Sequence, residues 1–423
     1  MKNNDIYSYD YLCKQASAFG VTLESGDISV LSLPLKVNNS IIPNRLFIQP
    51  VECADAEING APGELTERRY LRFAAGGAGC IWMEAVALNS ELKSNPRQLV
   101  LSEKTLGSFR NLINNMKEKA FIENGTCPIV IIQISHPGRS CNPIPKPATK
   151  NAVWDRLKPS YGQDPLSDDE IARLAESYGH ITRLANKAGF DGVEIKSCHM
   201  FFISELLSAR NRPGRYGGCF ENRTRHLKEA MASSQAEAGN MFLTVRLNAY
   251  DGIPYPEGFG MDENGGFLPD ITEPARLISE LNNEFGVELI NCSSGDPRYD
   301  LFPDITNSEP LFSPPPHPIK SGARMHSFAA DIKSAVKDIK VAATGFSHLY
   351  QYAPAIGARM IEQNQADMIG FGRQALAYPD FARDILLQGK MSAEKICLCC
   401  GGCSRLLSAG KYAGCIVRDS EYR

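Results

Sequence analysis

At 423 residues the chain exceeds the usual size of one domain but lies within the range of a decorated barrel. Hydrophobic residues make up 43% and charged residues 22%, and a formal net charge of −3 gives no general attraction to nucleic acid or to acidic membrane surfaces. No apolar run approaches the roughly 18 residues needed to span a bilayer, the first twenty positions lack the apolar core of a signal peptide, and an odd total of 13 cysteines argues against a disulfide framework. A cytoplasmic, reducing location is expected, with no nucleic-acid or membrane partner.

Residues 1–29 read as an N-terminal extension. Short apolar, β-rich runs then recur at 45–50 (RLFIQP), 80–84 (CIWME), 129–134 (IVIIQI), 191–195 (DGVEI), 242–247 (FLTVRL), 287–292 (VELINC), 339–344 (IKVAAT) and 367–371 (DMIGF). Without polar alternation, they suit strands buried on both faces, as in a parallel sheet. Between them, TERRYLRFAAGG and SDDEIARLAESYGHITRLANKAG carry helical spacing. Ser167 is placed to cap the second of these, which has an acidic first turn and ends near Gly189. Eight strands alternating with helices predict an α/β fold, a (β/α)8 TIM barrel over residues 30–390, followed by a short cysteine-rich tail over 391–423. An open doubly wound sheet is the competing arrangement. Gly- and Pro-rich stretches at 251–272 and 296–325 each follow an expected strand, so they would form loops on the barrel's C-terminal face, where such folds build active sites. GFGRQA matches G-x-G-x-x-A, but no βαβ unit follows it, and it is not read as a dinucleotide fingerprint.

Polar residues at or just after the strand ends are the candidates for chemistry in a barrel: Gln133, Lys196, His199, Arg246, Ser294, Gly345, Gly372 and Arg373. Gly345 and the Gly372–Arg373 pair follow the seventh and eighth strands, the usual phosphate position. Glycine there lets backbone N–H groups approach an anion, and arginine adds a bidentate cation.

Taken in order, NRLFIQP, GGAGCIWMEA, IQISHPGR, DGVEIKSCH, YGGCFENRTR, VRLN, TGF and DMIGFGR resemble the landmarks of the old yellow enzyme (NADH:flavin oxidoreductase) family of flavin-dependent ene-reductases. The resemblance covers about residues 30–390, and YGG-x-x-ENR-x-R is its most specific piece. It implies FMN on the C-terminal face. Pro50, Val51 and Glu52 would run past the isoalloxazine with Ala85 beside it, and Gln133 would hydrogen-bond the pyrimidine edge. Arg246 would sit by N1 and O2, while Gly345, Phe346, Gly372 and Arg373 would hold the phosphate. It further implies electrons from NAD(P)H or another donor, and hydride transfer to an activated C=C bond of the α,β-unsaturated carbonyl type in a small unsaturated substrate.

The family's substrate anchor, H-x-x-H/N-x-Y, reads Lys196, His199 and Phe201 here. Lysine replaces the first donor, His199 stands, and the phenol that often supplies the proton is missing. Lys196 would bind a substrate oxygen, donate the proton, or simply pair with a nearby acid; Cys198 and Tyr299 are weaker substitutes as donors. The segment between Ser208 and Tyr216 is short against the common family pattern. Two other functions stay open: amine oxidation, as in barrel relatives that carry a cysteine cluster, and a non-catalytic flavin-binding redox sensor.

Cys397, Cys400, Cys403 and Cys415 follow an x2, x2, x11 spacing, with Cys399 spare. Four thiolates suit a [4Fe–4S] cluster or zinc equally on ligand grounds. Resemblance to the cluster-bearing, 2,4-dienoyl-CoA reductase-like branch favours the cluster. The larger members of that branch continue into a nucleotide-binding domain that is not expected here, so either a ferredoxin or flavodoxin is expected as electron partner or the cluster would be structural. Self-association as a homo-oligomer is left open.

Overall fold

The computed structural model describes residues 8–264, 267–296 and 317–423. Tyr299 and most of the second Gly/Pro-rich stretch lie outside the described residues. Eight parallel strands close a barrel: β1 (Leu46–Ile48), β2 (Cys80–Ala87), β3 (Ile129–Ser135), β4 (Gly192–Ser197), β5 (Phe242–Asn248), β6 (Leu289–Ser293), β7 (Lys340–Ala343) and β8 (Met368–Phe371). Each coincides with one of the apolar runs. Closure is made by β8 against β1, with Ile369 opposite Leu46 and Phe371 opposite Ile48.

Each strand is followed by a helix: α1 (Glu64–Ala75), α2 (Leu106–Asn124), α3 (Asp168–Ala188), α4 (Phe220–Glu237), α5 (Thr272–Phe285), α6 (Pro318–Ala335), α7 (Ala353–Glu362) and α8 (Phe381–Gln388). The (β/α)8 barrel expected from the pattern is therefore the fold. Helix α3 shows why its boundaries were readable. Ser167 Oγ accepts from the Glu170 N–H while Glu170 Oε2 accepts from the Ser167 N–H, and Gly189 closes the helix at φ +91°.

The floor of the barrel is an apolar layer that includes Phe47, Trp82, Ile131, Phe242 and Leu289, covered from below by Leu35, Val37 and Ile42. Those three belong to a short antiparallel hairpin, Leu35–Val37 with Ser40–Ile42, which the sequence did not announce. Gly370 is dictated by this layer, since a Cβ there would lie 2.0 Å from Cε2 of Phe47.

The long loops depart partly from expectation. Residues 318–325 are helical, because Pro318 opens α6 at a position where a missing N–H costs nothing. The 251–272 stretch is ordered from within: Asp251 accepts from the Phe259 N–H at 2.9 Å and from Asn248 Nδ2 at 2.8 Å. The tail packs on the barrel. Met391, Ile396 and Ala413 join the main core, and Asp419 receives both terminal nitrogens of Arg68 and one of Arg72 from α1. Among the described residues, no helix is long and apolar enough to cross a membrane.

Candidate functional site

Strand residues alternate in direction, so two positions above the apolar floor the barrel interior turns polar. Gln49 and Asn291 exchange amide hydrogen bonds of 2.8 and 3.0 Å. Gln133 Nε2 donates to Glu194 Oε1 at 2.6 Å. Burial pushes the Glu194 carboxyl up to about 7, with Arg246, Gln133, Asn291 and Trp82 opposing the shift.

One further layer up, Lys196 and Arg246 stand side by side in the β4–β5 register. Arg246 is only 6% exposed, and its Nε has no hydrogen-bond partner among the described residues. A buried donor left unmade is costly, so this guanidinium fits a site completed by a ligand. Lys196 does find an acid, as one of the sequence alternatives had it. Its Nζ lies 3.2 Å from Glu52 Oε1 and 3.3 Å from the centre of the Phe201 ring. The other oxygen of Glu52 accepts from Ser94 Oγ at 2.9 Å.

His199 and Met200 leave β4 with φ of +61° and +55°. Two successive non-glycine residues in this conformation cost on the order of 1–3 kcal/mol each, and the turn brings His199 Nε2 to 2.8 Å from Ser293 Oγ at the end of β6. Cys198, a candidate proton donor in sequence, is fully buried, and burial raises its thiol to about 12. It is a poor acid.

The segment after β1 is held from behind. Arg69 bridges Asp55 Oδ1 at 2.8 Å and Glu84 Oε1 at 2.6 Å, and Glu84 Oε2 accepts from the Cys53 N–H at 3.1 Å. Glu84, next to Ala85 on β2, thereby ties down Cys53, the residue that follows Pro50, Val51 and Glu52. Across the mouth, Gly345 has φ +94°, and a Cβ there would stand 3.2 Å from Met325 Sδ; a Cβ on Gly372 would stand 3.2 Å from Val51 Cγ2. Phe346 is buried and stacks on His326 at 4.3 Å between ring centres. Gly372 brings bare backbone close to the exit of β1 and Gly345 brings it close to α6, as a phosphate cradle requires. The orphaned guanidinium, the glutamine and the glycine cradle together fit FMN.

A second pocket lies beside Arg373. Arg373 lines it with Arg418 and all five tail cysteines: Cys397, Cys399, Cys400, Cys403 and Cys415. Backbone N–H groups point at the sulfurs, from Cys399 to Cys397 Sγ at 3.4 Å and from Arg418 to Cys415 Sγ at 3.3 Å. The Cys397 thiol is drawn down to about 6, first by the hydrogen bond from the Cys399 thiol, against burial, and then by the Cys399 N–H, Arg373 and Arg418. Among the described residues, no three ligand side chains are gathered closely enough for a single metal ion. With Zn–S bonds near 2.3 Å, zinc would need the thiols drawn further together.

The sequence singled out Gln133, Lys196, His199 and Arg246, and the fold brings all four to one end of the barrel. It missed Glu194 and Ser293. Glu194 was reachable, since it shares a strand face with Lys196.

A closed parallel barrel whose mouth pairs a glycine cradle with an unsatisfied arginine has the architecture of a flavin-dependent oxidoreductase. Residues 31–291 match the model of the NADH:flavin oxidoreductase / NADH oxidase family, and the chain belongs to that family. It is 26% identical over 363 residues to an NADPH dehydrogenase of Bacillus subtilis (strain 168), covering 84% of this chain and 93% of that protein. It is 24% identical over 391 residues to an N,N-dimethylglycine/sarcosine dehydrogenase of Chromohalobacter salexigens, covering 87% of this chain and 49% of that one. The chain thus spans about half the length of the latter relative. Among solved structures, a 2-naphthoyl-CoA reductase in complex with 2-naphthoyl-CoA shares the fold at TM-score 0.75 and 20% identity, over 92% of this chain and 57% of that one.

Proposed function

We propose that the protein is an FMN-dependent ene-reductase acting on C=C bonds activated by a carbonyl-type group. The observation that carries this reading is the pair of neighbouring cations, Lys196 and Arg246, at the mouth of the barrel, with His199 close by. When bound, FMN supplies hydride transfer at N5. Gln133 and Arg246 hold the pyrimidine edge, where a fixed cation favours developing negative charge. Gly345, Phe346, Gly372 and Arg373 hold the phosphate, and Pro50, Val51, Glu52 and Ala85 flank the ring. Lys196 and His199 donate hydrogen bonds to the substrate's activating oxygen. Lys196 Nζ also replaces the missing phenol as proton donor, with Glu52 and Phe201 fixing its position.

Electrons come from NAD(P)H, or from a ferredoxin- or flavodoxin-like protein by way of the tail. For the tail we propose a [4Fe–4S] cluster on Cys397, Cys400, Cys403 and Cys415, with zinc as the alternative. Amine oxidation is the second reading. It is favoured by the likeness to the dimethylglycine/sarcosine dehydrogenase and by the acid at Glu52, and opposed by the two cations, which repel an ammonium. Anaerobic mixing of reconstituted protein separates the readings. Reoxidation of the reduced protein by an enone is the expected result. Bleaching of the oxidised protein by sarcosine or dimethylglycine would establish amine oxidation instead, and tight FMN with neither response would leave a redox sensor.

A further inference from the structure

We infer that Glu194 is a positioning residue for the flavin's pyrimidine edge: it fixes which end of the Gln133 amide faces the ring and offsets the charge of Arg246, and so sets how strongly the site favours reduced over oxidised FMN. The inference rests on the FMN reading above.

The orientation follows from hydrogen-bond chemistry. An ionised carboxylate only accepts, so the end of Gln133 lying 2.6 Å from Glu194 Oε1 is its NH2 group. The amide oxygen is then the end left for the ring, and it is the right partner for the imide N–H of a flavin. Gln133 and Glu194 are direct neighbours in the β3–β4 register, which leaves the amide little freedom to turn.

The charge balance follows from position. Glu194 sits opposite Thr244 in the β4–β5 register, and Arg246 is the next residue on the same face of β5. Glu194 is fully buried and Arg246 nearly so, and in such surroundings their attraction is poorly screened. Gln133, Asn291 and Trp82 also favour the charged carboxylate, but Arg246 opposes the effect of burial more strongly than any of them and is the cation that Glu194 acts on.

The test is an anaerobic spectroelectrochemical titration of the FMN-reconstituted full chain at pH 8, with FMN affinity read by fluorescence quenching. Glu194→Gln removes the charge and is expected to favour reduced over oxidised FMN by about tenfold more than the parent, a rise of about 30 mV for a two-electron couple. Glu194→Asp keeps the charge but draws back from Gln133. Its potential should stay at the parent value while oxidised FMN binds about three- to tenfold more weakly. An unchanged potential in the Gln variant with FMN stoichiometrically bound would overturn the inference, as would an Asp variant whose FMN affinity matches the parent's. Should Glu194→Gln fail to fold, a shifted potential in the Asp variant would overturn the charge role just as well. Failure of the parent to take up FMN at all would sink the FMN reading, and the inference with it, before any variant is compared.

Discussion

Lys196 and Glu52, 144 residues apart in the chain, form an ion pair of 3.2 Å across the mouth of the barrel. The pair gives the site a cation whose position is set by protein groups, with Phe201 packed beneath it. Lys196→Met should therefore lower the rate of alkene reduction by roughly 10²–10⁴-fold, the range for a positioned general acid. The rate at which NADPH reduces the enzyme should change far less. Stopped-flow measurement of the two half-reactions separates these effects, and equal loss in both would mean that Lys196 merely supports the flavin site.

Arg246 makes the opposite bargain between stability and function. Its Nε is buried without a partner among the described residues, so the ligand-free protein carries the cost of one unmade hydrogen bond. Arg246→Met should leave the melting temperature of the ligand-free protein unchanged or higher. The parent gains about 2.7 kcal/mol at FMN concentrations about a hundredfold above Kd, and the variant should lose most of that gain. Thermal denaturation with and without FMN checks both halves.

These predictions depend on parts of the molecule that were unevenly legible in the sequence. The eight strands announced themselves because burial on both faces writes a plain apolar run. The floor hairpin did not, since strands of three residues are too short to show a period. That Lys196 would meet an acid was among the sequence readings. That the acid is Glu52 depends on barrel closure, which no local pattern encodes. The start of α6 was masked by its own proline-rich approach, and the arrangement of the cysteines is a matter of tertiary contact that spacing alone does not fix.

Gly370 offers a packing test away from the charged groups. Gly370→Ala would drive a methyl group against the ring of Phe47, with the nearest carbon only 2.0 Å from the ideal Cβ position. Overpacking of this kind costs about 1–3 kcal/mol. Urea denaturation should show it as a lower midpoint, and Phe47→Leu in the same chain should recover part of the loss.

The tail's anchor should respond to acid. Burial pushes the Asp419 carboxyl up, but the bond from Arg68, the Glu421 N–H and the charge of Arg72 outweigh it and hold the group below the usual range. A carboxyl lowered in the folded state contributes stability that is complete above its unfolded value of about 3.9 and is lost as pH falls through the folded value. Hydrogen exchange over residues 396–423 should therefore be slow at neutral pH and accelerate only below about pH 4. Asp419→Asn should exchange quickly at pH 7.

The cysteine pocket yields to direct analysis. Anaerobically prepared protein should contain about four iron and four acid-labile sulfide per chain, and Cys400→Ser should lose most of both while Cys399→Ser keeps them. About one zinc with no sulfide would replace the cluster with the alternative.

The tail also bears on the order in which this molecule can be completed. The Ala413 N–H bonds to the Cys53 carbonyl beside the exit of β1, the Cys397 N–H bonds to Gln374 beside the exit of β8, and Arg68 meets Asp419 across 351 residues of sequence. These contacts stitch the seam where β1 and β8 meet. Residues around position 50 thus reach their final setting only after those around 415 have been synthesised. Until β8 is made, β1 carries an open edge, the kind of exposed strand that pairs wrongly between nascent chains. The contacts of greatest sequence separation are the slowest to form, and here they frame the cradle at the barrel mouth. A chain that stops short of the tail could close its barrel strands but would leave Cys53 and Gln374 without these contacts.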